Sequence, residues 1–106
     1  MEYAILEKLA AEVKANRKAA LVTLVEEQGS SPGKKGFMMA VFADGSTLGT
    51  IGGGNLENKA REYALLCMSE GKNKLMEMEL DDTGELHMQC GGKANIFIKV
   101  FKAKDS

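Results

Sequence analysis

Apolar and polar residues alternate along this chain with two different periods, which separate predicted helices from predicted strands. Four apolar residues between positions 2 and 15 recur at the 3.6-residue spacing of an amphipathic helix: Ile5, Leu6, Leu9 and Val13. A second stripe at the same spacing consists of Leu56, Ala60, Tyr63, Ala64 and Cys67. Gly71 follows this stripe and is typical of the residue just beyond a helix C-terminus.

The other apolar segments are short, as strands are. Five strands are predicted, over residues 19–25, 37–42, 47–51, 74–80 and 94–101. The Asp44-Gly45 pair between the second and third of them favours a hairpin turn. The order α-β-β-β-α-β-β predicts an α/β or α+β domain, with a single mixed sheet of about five strands and two helices packed on it.

Size and charge narrow the class of protein. The 106 residues are expected to form one domain over 1–106. A net charge of −1 argues against a general nucleic-acid binder. No apolar stretch approaches the roughly 20 residues that cross a bilayer, and the start of the chain lacks the apolar segment of a signal peptide. We therefore expect a cytoplasmic protein whose two cysteines are reduced thiols.

Three glycine-rich clusters are the most unusual feature of the chain. They are QGSSPGKKG (28–36), GTIGGGNLE (49–57) and QCGGK (89–93), and each adjoins a predicted strand end. Consecutive glycines are costly to order, so either the turn or a ligand must require them. The second cluster also opens a helix, whose N-terminus attracts anions. If the clusters converge, they form a donor-rich pocket for a phosphate or a polar heterocycle; if not, they are ordinary turns.

The two cysteines have different expected roles. Cys67 lies in the apolar stripe of the second helix, where a thiol behaves as a small hydrophobe. Cys90 lies between a polar turn and two glycines, close to Lys93, where a thiolate nucleophile or soft-metal ligand is favoured. His87 and Cys90 are too few ligands for a structural zinc site.

Taken together, two stretches resemble the N-terminal domain of the XdhC/CoxI family, the molybdenum-cofactor accessory proteins of xanthine dehydrogenase and related hydroxylases. The stretches are ALVTLVEEQGSSPGKKGFMMAVFADGSTLGTIGGGNLE and MQCGGKANIFI. The order and spacing of their motifs agree along almost the entire chain. The resemblance implies a chaperone that binds the molybdenum cofactor (molybdopterin carrying molybdenum), holds it during sulfuration and passes it to the apo-hydroxylase.

The resemblance also implies which residues would contact this cofactor, bound as cargo. They are Gly29, Ser30, Ser31, Gly52, Gly53, Gly54, Asn55, Glu57, Cys90, Gly91 and Gly92. The three consecutive glycines, with the Asn55 N–H, would face the pterin or its phosphate, and Cys90 would approach the molybdenum as its ligand. Glu57 would hydrogen-bond the amino and amide edge of the pterin, or instead cap the helix. No residue is assigned a catalytic role.

The chain departs from the family pattern in three respects. Gly33 stands where the family commonly has an arginine, and Asn55 stands where a subset has cysteine. Many members continue into a Rossmann-type second domain, which we do not expect in residues 1–106. The implied partner is a molybdenum hydroxylase such as xanthine dehydrogenase, and a separate Rossmann-domain protein is a further candidate. A cysteine desulfurase would be a partner if Cys90 accepts sulfur. The small size of the domain and its exposed strand edges favour a homodimer.

Two other functions fit the residues. The protein would be a small thiol enzyme if Cys90 accepts and transfers sulfur. It would be a structural adaptor if the glycine clusters are only turns. Of the three, a binding protein rather than an enzyme is the favoured interpretation.

Overall fold

A computed structural model describes residues 2–28, 35–79 and 93–102. The elements are α1 (Glu2–Lys14), β1 (Ala19–Gln28), β2 (Met38–Phe42), β3 (Thr47–Gly49), α2 (Gly54–Glu70), β4 (Lys74–Glu79) and β5 (Lys93–Phe101). The predicted α+β class, with one sheet of five strands and two helices, is confirmed. Within the described residues, no helix has the length and apolarity that crossing a membrane requires.

The sheet has the strand order β3-β2-β1-β5-β4. All the described pairings are antiparallel, in contrast to the mixed sheet that we predicted. The reason is the path of α2, which links β3 at one edge to β4 at the other. The two strands joined by this helix are therefore not neighbours, and no parallel pair arises from the connection.

One helix packs on each face of the sheet. Successive residues of a strand point to opposite faces. The successive residues Ala19 and Ala20 of β1 accordingly belong to two separate apolar clusters. The cluster containing Ala20 includes the buried residues of α2, whereas the cluster containing Ala19 includes Ile5 and Leu9 of α1. The two faces of a single sheet therefore form two cores.

The buried side of α1 is rotated slightly from the predicted stripe. Ile5 and Leu9 are buried as expected, but Leu6 is 50% exposed. Glu12, which is not part of the predicted stripe, is buried, with only 6% of its surface exposed. A charged group tolerates such a position only when it is paired, and the guanidinium of Arg17 supplies two hydrogen bonds to its carboxylate.

The buried side of α2 follows the predicted stripe closely. Leu56, Ala60, Ala64, Cys67 and Met68 are buried, whereas Tyr63 is 38% exposed. The core role predicted for Cys67 is thus confirmed. The helix ends as predicted at Gly71, which has a φ of 70° and donates its N–H to the carbonyl of Cys67 at 2.7 Å.

Candidate functional site

Five of the predicted site residues lie within the part of the chain that the structure describes: Gly52, Gly53, Gly54, Asn55 and Glu57. The other six fall outside the described residues; they are Gly29, Ser30, Ser31, Cys90, Gly91 and Gly92. That the glycine clusters at 28–36 and 89–93 form further walls of the site therefore stays a prediction. The cluster around the start of α2 can be built in detail.

The three consecutive glycines form a left-handed turn between β3 and α2. Their φ angles are 132°, 81° and 63° for Gly52, Gly53 and Gly54. Gly53 combines its positive φ with a ψ of −175°, a backbone conformation that is essentially restricted to glycine. Any other residue at these positions costs on the order of 1–3 kcal/mol each. The backbone conformation thus requires the glycines.

Packing against the rest of the described protein does not require a glycine at position 53. A Cβ atom built on Gly53 would meet no other atom within 4 Å. The residue that precedes the turn, Ile51, is fully buried in the core beneath α2. The turn is therefore anchored on its inner side by an apolar residue. Its outer side is not covered by any of the residues that the structure describes, so a ligand can approach the backbone there with respect to them.

Glu57 holds this turn from the first turn of α2. Its Oε1 atom accepts hydrogen bonds from the Thr50 hydroxyl, from the Ile51 N–H at 3.2 Å and from the Gly53 N–H at 3.1 Å. The Gly52 N–H in turn donates to the Thr50 hydroxyl oxygen at 3.0 Å. Of the two roles considered for Glu57, capping is the one these contacts show. A contact between Glu57 and cofactor stays a prediction.

A polar cleft of about 500 Å³ lies beside the turn, between α2 and the hairpin that joins β2 to β3. It is lined by Asp44, Gly45, Ser46, Thr47, Glu57, Asn58 and Arg61. The sequence predicts the hairpin turn and the helix separately, but it carries no signal that they share a cleft. Apart from Glu57, these lining residues were not predicted as site residues, because only the tertiary structure brings them together.

Two contacts fix the hairpin side of this cleft. Asp44 Oδ1 accepts hydrogen bonds from the hydroxyl of Ser46 at 2.6 Å and from its N–H at 2.9 Å. These bonds favour the charged carboxylate and lower the pKa of Asp44 below its usual range. The Arg61 guanidinium donates to the Gly45 carbonyl at 3.3 Å, which ties the hairpin to α2.

The described cysteine is not part of the candidate site. Cys67 is a free thiol on the buried face of α2, and burial raises its pKa above the ordinary value. A buried, protonated thiol is a poor nucleophile and a poor metal ligand. Among the described residues, no group of three or more His, Cys, Asp or Glu side chains is arranged to hold a metal ion. The thiol chemistry predicted for Cys90 lies outside the described residues.

The fold and this site define a small α+β domain in which a left-handed glycine turn precedes a helix at the edge of a polar cleft. The chain belongs to the XdhC and CoxI family, whose model matches residues 12–79. The predicted family membership is thereby confirmed.

The chain is similar to known proteins both in sequence and in fold. The uncharacterized protein YqeB of Escherichia coli (strain K12) is 37% identical over 83 residues, which cover 76% of this chain and 15% of YqeB. The fold is also similar to the crystal structure of a xanthine dehydrogenase from Bacillus halodurans, with a TM-score of 0.71, 23% identity and coverage of 91% of this chain and 30% of the other. The chain thus spans well under half the length of both.

Proposed function

We propose that this domain binds the molybdenum cofactor as cargo and delivers it to a molybdenum hydroxylase of the xanthine dehydrogenase type. Membership of the XdhC and CoxI family supports this function. The single observation that carries the proposal is the open face of the turn at Gly53. Three consecutive glycines are costly to order, yet no described part of the protein packs against the space in front of Gly53.

The chemistry of the described groups fits a large polar cargo. The turn offers main-chain groups without side-chain bulk, and the adjoining cleft offers hydroxyls, an amide, carboxylates and a guanidinium. Each such hydrogen bond contributes about 0.5–1.5 kcal/mol net. Several bonds of this size hold a cargo firmly, but they also allow its release to a recipient, which a carrier needs.

A retention experiment tests the proposal. The apo protein is mixed with molybdenum cofactor under anaerobic conditions and separated by gel filtration, and molybdenum in the protein fraction is measured by metal analysis. The wild type is expected to retain the metal. Gly53→Ala is expected to retain at least about tenfold less, because its methyl group enters the open face and its backbone leaves the left-handed conformation.

Gly71→Ala is the matched control. Gly71 also has a positive φ, of 70°, and its Cβ would meet only the end of the Lys102 side chain, at 3.4 Å. It lies at the far end of the 17-residue α2, about 25 Å from the turn. This variant also places alanine at a positive φ, in the less costly αL region, and it should retain the cargo. No retention by the wild type, or equal losses in the two variants, would refute the proposed function.

A further inference from the structure

We infer that Glu57 makes the glycine turn and its cleft selective for an uncharged heterocycle edge that bears N–H donors, and that it excludes phosphate. This inference rests on the proposed function, because it names which part of the cofactor meets the turn. The family resemblance leaves two possibilities for what faces this turn, the pterin ring or the phosphate. The contacts of Glu57 separate them.

The first argument is that an internal carboxylate already occupies the position of an anion. The N–H groups of Ile51 and Gly53 both donate to Glu57 Oε1. A phosphate seated on these two N–H groups would have to compete with Glu57 for them. A phosphate would have to displace a side chain that is tethered to the same helix, and the tether gives Glu57 the advantage of proximity.

The second argument is the charge balance. A helix N-terminus carries about half a positive charge, and the carboxylate of Glu57 in the first turn outweighs it. Among the described residues that line it, the cleft contains one more carboxylate, that of Asp44, and one cation, Arg61. The ammonium of Lys8 also attracts the Asp44 carboxylate electrostatically. Lys8 is already paired with Glu12, at 3.7 Å, so it does not neutralise the cleft. The lining of the cleft is therefore net negative and repels a phosphate dianion.

The third argument is the set of hydrogen-bonding groups. The hydrogen bonds described for the two carboxylates use Glu57 Oε1 and Asp44 Oδ1, so the second oxygen of each can accept from the N–H donors of a ligand. The amide of Asn58 and the other N–H groups of the Arg61 guanidinium can donate to a carbonyl oxygen. An amino group, a ring N–H and a carbonyl oxygen in a row, as on the 2-amino-4-oxo edge of a pterin, match this set. The volume of about 500 Å³ lies within the range of small-molecule sites.

The test uses two simple probes and the full chain, so its result does not depend on whether the whole cofactor is retained. ¹⁵N-labelled protein is titrated at constant ionic strength and pH 7 with pterin, and separately with inorganic phosphate. Pterin is expected to shift the amide signals of Gly52 to Asn55 and of Asn58 in a saturable way. Phosphate is expected to leave these signals unchanged.

Glu57→Gln keeps an acceptor oxygen for the turn but removes its charge. In this variant pterin affinity should fall about tenfold, while phosphate affinity should rise by at least about tenfold. Glu62→Gln is the matched control, because it removes the same charge from an exposed position of α2 outside the cleft. It should behave as the wild type does.

The outcomes are distinct from those of the retention experiment. Saturable phosphate binding at this turn in the wild type, or no pterin binding, overturns the inference even if the protein retains the cofactor. If Glu57→Gln does not fold, Asn58→Ala provides the same test at an exposed helix position, where weaker pterin binding is expected. Unchanged pterin affinity in Asn58→Ala would also overturn the inference.

Discussion

Ile5 of α1 packs directly onto Gly49, the last residue of β3. A Cβ atom on Gly49 would lie 2.6 Å from the Cδ1 atom of Ile5 and 2.6 Å from the carbonyl oxygen of Met38. Gly49 also has a φ of 90°, in the left-handed region. This glycine is therefore required twice, by its backbone conformation and by the closeness of the first helix to the edge strand.

Gly49→Ala is expected to lower the free energy of unfolding by about 2–4 kcal/mol, because strain and overpacking add. Gly53→Ala should cost less, about 1–3 kcal/mol, since its Cβ meets open space and only the backbone conformation opposes alanine. Urea unfolding at 25 °C measures both. Equal losses in the two variants would mean that the contact between Ile5 and Gly49 does not constrain the fold.

The ion pair between Glu12 and Arg17 should make the stability of the folded protein depend on pH in the acid range. Two hydrogen bonds of 3.0 Å join the guanidinium to the carboxylate, and they lower the pKa of Glu12 below its ordinary 4.5. The stabilisation is therefore present above pH 4.5 and lost as the pH falls through the lower folded-state pKa. Unfolding midpoints of the wild type and Glu12→Gln should differ at pH 7 and converge in acid.

Glu7→Gln is the charge-matched control for this prediction. Glu7 lies on the same helix in an exposed position, so its loss removes one negative charge without breaking the pair. If Glu7→Gln and Glu12→Gln show the same change in unfolding midpoint at every pH, net charge rather than the ion pair is responsible.

Ile51 should be one of the most sensitive positions near the candidate site. It is fully buried in the core beneath α2 and immediately precedes the glycine turn. Ile51→Ala is expected to lower the free energy of unfolding by about 2–5 kcal/mol, through lost burial and a residual cavity. Leu75→Ala, at a residue that is 67% exposed, should change it by less than about 0.5 kcal/mol. Denaturant titration of the two variants tests this difference.

Cys67 should be protected from alkylation in the folded protein. Burial covers its thiol and raises its pKa, so little thiolate is present at neutral pH. Native protein treated with iodoacetamide at pH 7.5 is expected to show no label on the peptide that contains Cys67, whereas protein in urea is labelled. Rapid labelling of Cys67 without denaturant would contradict the burial described for it.

Periodicity in the sequence was sufficient to predict the elements of this fold. The strand predicted over 74–80 is β4 (Lys74–Glu79), and the one over 94–101 is β5 (Lys93–Phe101). The end of α2 at Gly71 could also be predicted, because a left-handed C-terminal residue is local chemistry. These features depend on neighbours along the chain, so they can be predicted from the sequence alone.

By itself the sequence determined the α+β class, the family and the position of the glycine turn before α2. Only the tertiary structure decided that Glu57 occupies the amides of the turn, and that the Asp44 hairpin lies across a cleft from Arg61. The strand order that brings the hairpin to α2 is a property of the packed sheet. A carboxylate four residues into a helix can point to solvent, a ligand or its own loop, and the surrounding packing determines which of these it contacts.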